Sequence, residues 1–436
     1  MQLRTVFLGN MLLLSAPGLF SAQAAGLQQA AEPSVTGRSD KRLVVLDRLM
    51  TGFLERHKLP GASLAVARHG RLVYARGFGL ADRKSGKPVQ PESLFRIASL
   101  SKPLTSVAIL KLVEAGRLKL DDSVADVLGL KPEVDVERNR RVSIRQCLQH
   151  TGGWDRGDSF EPMFQSIRIA RVLETRAPAG TSEVIRFMQK WPLDFDPGTR
   201  YAYSNYGYCL LGRVIEKVSG ESYESYVRQQ VLKPMGVSEM RIGKTREAGR
   251  AEGEVRYHVD GEKVGLSVFE ADLGQRVSRA YGAWNIEAMD SHGGWIASAA
   301  DLVRFATALE SPGRKPFLKP SSLEEMFAPP PAPVSRKADG SVEPVYYGLG
   351  FSVRPTGEGR MNQWHTGSLA GTSTLLVRRH DGMAWAVLFN SRRACAGKNP
   401  ASAIDPLVHK AVDAVREWPE GDLFDSATDD ARSPLD

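Results

Sequence analysis

Cysteine is scarce: the 436-residue chain holds three, Cys147, Cys209 and Cys395. They are odd in number, far apart and form no CxxC, which argues against a disulfide framework and against a zinc site. Either one bridge or buried free thiols remain. No HExxH and no cluster of His or Cys occurs, so the sequence calls for no metal and no other cofactor. Beyond residue 24 no apolar run is long enough to cross a bilayer as a helix. Dense charge is missing too. Lys and Arg number 58 against 50 Asp and Glu, a formal +8, but the basic residues are scattered. Nucleic acid is therefore a poor partner, and a solvated surface is the simpler reading.

What the chain does have is ordinary globular composition, 42% hydrophobic and 25% charged, enough to bury a sizeable core. Residues 1–24 read as a signal peptide. Arg4 precedes a short apolar run, and Ala22-Gln23-Ala24 supplies a small-residue cleavage site. The mature protein is accordingly expected in the periplasm or outside the cell, without a stable membrane anchor.

After a polar stretch (25–38), Leu43, Leu46, Met50, Phe53 and Leu54 recur at helical spacing up to Pro60. The segment ASLAVARHGRLVYARGFGLAD reads as two strands turning at His69-Gly70. A helix is predicted from Ser99 to Gly116. The middle, 117–294, lacks strand alternation and holds helical pieces such as TSEVIRFMQKW and YCLLGRVIEKVSG. Strands return at YYGLGFSV and at TSTLLVRRHDGMAWAVLFN, the latter folding back at Asp381-Gly382. A last helix is expected over 401–417, and a loose tail over 418–436. The Pro-rich 328–344 reads as a surface loop. The expected architecture is α+β: an antiparallel sheet flanked by helices (39–116 plus 295–417) with a mostly helical domain (117–294) inserted.

The chemistry begins at FRIASLSKPLTS. Ser99 and Lys102 share one helix face, and Pro103, which has no amide hydrogen, places them near the helix start. A desolvated lysine can accept a serine proton, and Ser-Lys is a known alternative to Ser-His-Asp. Such a pair is also what a capping serine and a surface lysine would look like. Two further segments weigh against that. YAYSNYGYCLLG offers Tyr203, a phenol whose pKa a nearby lysine could lower, and Asn205, which can hold both a lysine and a substrate carbonyl. WHTGSLAGTSTLLV offers His365, Thr366 and Gly367 on an edge strand, where a glycine would admit substrate backbone. The N–H groups of Ser99 and Ser368 are candidates for an oxyanion hole. The same His-Thr-Gly at 150–152, in QHTGGW, reads as a helix stop and loop.

These segments, in this order, resemble the serine β-lactamase/penicillin-binding-protein superfamily, over about residues 40–415. The nearest branch is similar to the class C β-lactamase-related hydrolases, which include DD-peptidases, D-amino-acid peptidases and β-lactamase-like esterases. The resemblance implies Ser99 as acylated nucleophile, Lys102 as its proton partner and Tyr203 as second acid/base. It also implies substrate contacts from Asn205 and from His365, Thr366 and Gly367, in the place of the family's Lys-Thr-Gly. The fold it implies is the same helix-flanked sheet. Class C β-lactamases carry lysine where this chain has His365, and a neutral histidine binds a carboxylate poorly. Arg392 and Arg393 are candidates for that carboxylate, or simply solvated charges. The expected activity is hydrolysis of a small ester, amide or peptide through an acyl-enzyme. The rivals are a true β-lactamase and an acylated sensor without turnover.

Overall fold

One antiparallel sheet divides the apolar residues of this chain between its two faces. The computed structural model describes residues 33–259, 264–310, 316–393 and 395–425. The main strands are β1 (Gly61–Arg68), β2 (Arg71–Asp82), β3 (Ser352–Gly357), β4 (Arg360–Leu369), β5 (Thr372–Arg378) and β6 (Met383–Phe389). Their spatial order is β2-β1-β6-β5-β4-β3, so strands from the two ends of the chain meet at β1 and β6. His69 and Gly70 both take positive φ, +49° and +79°, as the turn between β1 and β2 requires. Gly382, at φ +81°, turns the hairpin between β5 and β6.

Alternation along the central strands decides which helices lie where. Leu64 and Val66 of β1 and Trp385, Val387 and Phe389 of β6 face one way. There they pack with helix α1 (Val44–His57) and the C-terminal helix (Pro400–Asp413), through Met50, Phe53, Ile404 and Val408. Ala65, Ala67, Ala384 and Ala386 face the other way and are small. The helix Ala299–Ala308 lies on that side, and small residues let it come close. Beyond it lies α2 (Ser101–Glu114), buried on nearly every side from Ser101 to Leu112. A helix apolar all round belongs in an interior. Here α2 joins the sheet layer to the helices of the 117–294 region, chiefly α3 (Asn205–Ser219).

Three expectations need correction. Val35–Thr36, in the stretch read as polar and loose, adds a short strand against Gly77 and Phe78 of β2. The middle region contributes to two short strand pairs beside its helices. Arg241–Ile242 pairs with Trp295–Ala297, and Val264–Leu266 pairs with Arg276–Ser278, strands too short to alternate visibly in sequence. The C-terminal helix ends at Asp413. The tail is packed as far as residue 425: Phe424 is buried, Asp422 Oδ1 accepts from Leu72 N at 2.9 Å, and Arg304 stacks 4.1 Å from the Phe424 ring. One aromatic side chain supplies what the acidic composition hid. The expected signal peptide and residues 426–436 lie outside the described residues. All three cysteines are buried, and no helix among the described residues is long and apolar enough to cross a membrane.

Candidate active site

Ser99 sits in a single 3-10 turn, Ala98–Leu100, immediately before α2. Ala98 takes φ +50°, a conformation that non-glycine residues hold only when their surroundings impose it. The surroundings do. Ile97 N donates to Trp295 O at 3.0 Å, while Thr374 Oγ1 donates to Ile97 O and Thr372 Oγ1 to Arg96 O, at 2.9 and 2.8 Å. Ser101 Oγ donates to Ala98 O at 2.7 Å. The nucleophile turn is thus fastened to the face of the sheet.

Gly367 is part of that fastening. It pairs with Thr374, and a Cβ there would run into Ile97 O and Thr374 Oγ1. Its lack of a side chain makes room for the serine turn. β4 is paired on both sides only before His365, and its His-Thr-Gly stretch has the edge position expected of it. β5 pairs with it over 363–369, whereas β3 pairs only as far as Trp364, so His365 to Leu369 have a strand neighbour on one side.

Lys102 is completely buried. Its Nζ donates to Asn205 Oδ1 at 2.8 Å and to His292 O at 3.1 Å, and lies 3.4 Å from Ser99 Oγ. Burial pushes its pKa well below the usual lysine range. The negative charge of Glu161 opposes that shift, and Arg156 adds to it. Asn205 opens α3, whose N-cap, Ser204, accepts from Gly207 N at 3.3 Å. Tyr203 lies just before that cap, with its ring centre 4.7 Å from Lys102 Nζ. Burial raises the Tyr203 pKa, and a hydrogen bond with Ser99 only partly offsets this. The expected lowering by lysine fails because the phenol is desolvated and its lysine neighbour favours the neutral form.

His365 is buried and neutral. Desolvation, with the Lys102 charge as a smaller cause, holds its pKa down to about 3. Its Nδ1 lies 2.7 Å from Thr366 O, which can only accept, so that nitrogen carries the proton and Nε2 accepts from Tyr347 OH at 2.8 Å. Ser368 follows on β4 opposite Ser373; its own hydroxyl is buried and without a partner among the described residues. Arg392 and Arg393 are exposed.

Ser99, Lys102, Tyr203 and Asn205 are therefore joined by direct contacts, and His365-Thr366-Gly367-Ser368 forms the strand behind the serine turn. Sequence reasoning missed four supporting groups. Glu161 Oε2 accepts from Asn205 Nδ2 at 2.8 Å. His150 Nδ1 accepts from Ser204 N at 3.2 Å, and its ring packs 4.3 Å from Tyr203 and 4.6 Å from Tyr347. His292 contributes its carbonyl and Tyr347 its phenol. A Glu followed by Pro is a cap signal only, and QHTGGW and YYGLGFSV offered local structure, not partners. A small cavity of about 170 Å³, lined by Trp154, Phe160, Trp191, Glu161 and Ser204, adjoins this group. A larger one of about 900 Å³ lies elsewhere, around Phe327, Tyr346 and Arg378.

The family described as Beta-lactamase matches residues 46–404. A penicillin-binding protein of Bacillus subtilis (strain 168) is 30% identical over 344 residues, 77% of this chain and 69% of that protein. The esterase EstB of Burkholderia gladioli is 33% identical over 195 residues, 44% of this chain and 49% of the esterase. Among solved structures, the octameric penicillin-binding protein homologue from Pyrococcus abyssi superposes with a TM-score of 0.63 at 26% identity, covering 84% of this chain and 77% of that one. With its helix-flanked antiparallel sheet and a Ser-Lys pair at the head of its central helix, this chain belongs to the Beta-lactamase family.

Proposed function

We propose that the protein is an exported serine hydrolase that opens an ester or amide through an acyl-enzyme on Ser99. The observation that carries this reading is the placement of a desolvated lysine amine 3.4 Å from Ser99 Oγ. Ser99 Oγ attacks the carbonyl carbon as its proton passes to Lys102 Nζ. The oxyanion is met by the N–H groups of Ser99 and Ser368. The carbonyl re-forms as the leaving group departs with the proton, delivered through the Tyr203 phenol. Water attacks the acyl-enzyme by the reverse route, and the acid is released. Lys102 is the base of choice because burial favours its neutral form, whereas burial keeps Tyr203 protonated. A neutral His365 offers no charge to a substrate carboxylate, which favours a simple ester or amide over a β-lactam.

The test is the time course of p-nitrophenyl butyrate hydrolysis by the mature protein beside Ser99→Ala. A burst of one equivalent followed by steady turnover, absent in the variant, is expected. A burst that stops would make the protein an acylated sensor, and release that ignores Ser99→Ala would remove the reading altogether. Export is tested by fractionating cells and sequencing the mature N-terminus.

A further inference from the structure

A neutral primary amine has two N–H bonds and one lone pair. Lys102 Nζ has two close acceptors, Asn205 Oδ1 at 2.8 Å and His292 O at 3.1 Å, and a third neighbour, Ser99 Oγ, at 3.4 Å. If both hydrogens go to the two acceptors, the lone pair is left for Ser99. That outcome depends on which end of the Asn205 amide faces the lysine. Turned over, the amide would present its NH₂, take up the lone pair and leave Ser99 without a proton acceptor.

The end that faces the lysine is decided from the far side. Asn205 Nδ2 donates to Glu161 Oε2 at 2.8 Å. Burial raises the Glu161 pKa; the Met163 N–H, the Lys102 charge and the Asn205 amide oppose that rise, and the ionised carboxylate can only accept. A flipped amide would place its oxygen against that carboxylate. The carboxylate is itself held, because Glu161 is the N-cap of the turn Pro162–Phe164 and its Oε1 accepts from Met163 N at 3.4 Å. Glu161 also stands as the negative charge nearest the buried amine in effect.

Building on the hydrolase reading, we infer that Glu161 is the positioning residue that locks the Asn205 amide and thereby aims the Lys102 lone pair at Ser99. It touches neither the nucleophile nor the amine, and acts through Asn205. The other groups facing Lys102 are Arg156, the Tyr203 and Tyr208 rings at 4.7 and 5.4 Å, and the buried histidines His150, His292 and His365. Burial keeps all three histidines neutral, so Glu161 is the group whose charge opposes both the desolvation of Lys102 and the field of Arg156.

Two substitutions separate charge from position. Glu161→Gln keeps an acceptor for the Asn205 amide and removes the charge; Glu161→Ala removes both. Lys102 is titrated directly by NMR in full mature protein labelled at lysine Cε, with the resonance assigned from Lys102→Arg. Its midpoint is expected to fall by about one pH unit in Glu161→Gln, and the acid limb of Ser99-dependent p-nitrophenyl butyrate hydrolysis should fall with it. In Glu161→Ala the plateau kcat is expected to drop about tenfold or more with KM little changed, and Glu161→Gln should stay well above it. A residue that merely props up the fold would not move the Lys102 midpoint. An unmoved midpoint in folded Glu161→Gln overturns the inference, as does a Glu161→Ala plateau equal to that of the parent protein. Should the parent show no Ser99-dependent release, the hydrolase reading falls while the NMR titration still decides the role of Glu161. If Glu161→Ala fails to fold, Glu161→Leu, which removes the acceptor but fills the space, takes its place in the kcat comparison.

Discussion

Lys102 Nζ lies 2.8 Å from Asn205 Oδ1 but 3.4 Å from Ser99 Oγ, so the amine is held by the amide and only approached by the hydroxyl. A neutral amine can accept from the serine hydroxyl with its lone pair. At 3.4 Å the pair is slightly longer than proton transfer needs, a distance expected to close as substrate binds in the buried pocket.

That arrangement makes the charge of Lys102 the variable that controls rate. The active form is the neutral amine, present above the lysine's lowered pKa and lost as pH falls through it. Ser99-dependent hydrolysis is therefore expected to rise with pH to a plateau. Lys102→Arg keeps a cation and cannot deprotonate, so the burst rate should fall by about 10²–10⁴-fold. Stopped-flow acylation by p-nitrophenyl butyrate across pH checks both outcomes; an active Lys102→Arg would move the base elsewhere.

Tyr203→Phe keeps the buried ring and removes only the hydroxyl that bonds Ser99. If the phenol delivers protons to and from the leaving group and water, steady turnover should fall by about 10²-fold or more. Folding should be preserved, because the phenyl ring still fills the space beside His150 and Lys102. Thermal melting and the burst assay on one preparation test the two halves together.

Stability should be lost in mild acid. His365 has a folded pKa near 3 against about 6.5 unfolded, so protons bind the unfolded chain preferentially between those values. Its contribution is complete above about pH 6.5 and declines as pH falls toward 3, which amounts to about 2 kcal/mol lost by pH 5. His150 and His292, lowered for the same reason of burial, act in the same direction. Urea midpoints from pH 7 to pH 5 should fall steeply. His365→Asn should flatten that slope, and a slope unchanged by the substitution would refute the assignment.

The sequence made Ser99, Lys102, Tyr203 and Asn205 legible because each pair lies within three residues, and local spacing fixes their geometry. The His-Thr-Gly strand was legible by order, but the approach of the serine turn to Gly367 was not. Its neighbour Ile97 is remote in sequence, and no pattern announces which backbone a glycine will touch. Glu161 escaped for the same reason, since Asn205 lies 44 positions away. Strand alternation exposed β1, β2, β5 and β6, while two- and three-residue strands such as Arg241–Ile242 had no room to alternate. The packed tail was obscured by composition, which averages over Phe424.

Gly367→Ala should separate the strand's structural duty from any contact with substrate. The added Cβ meets two groups that cannot easily retreat: the Ile97 carbonyl, fixed by Thr374, and the Thr374 hydroxyl itself. Relief requires the turn carrying Ser99 to lift off the sheet, with overpacking costing about 1–3 kcal/mol. Displacement of the nucleophile by a fraction of an ångström is expected to lower kcat about 10²-fold. Because the clash lies beneath the serine, acylation by small and bulky esters should fall by the same factor. A loss confined to bulky esters would mean that the glycine faces substrate after all. Burst rates for p-nitrophenyl acetate, butyrate and octanoate, measured on one preparation of folded variant, decide between the two.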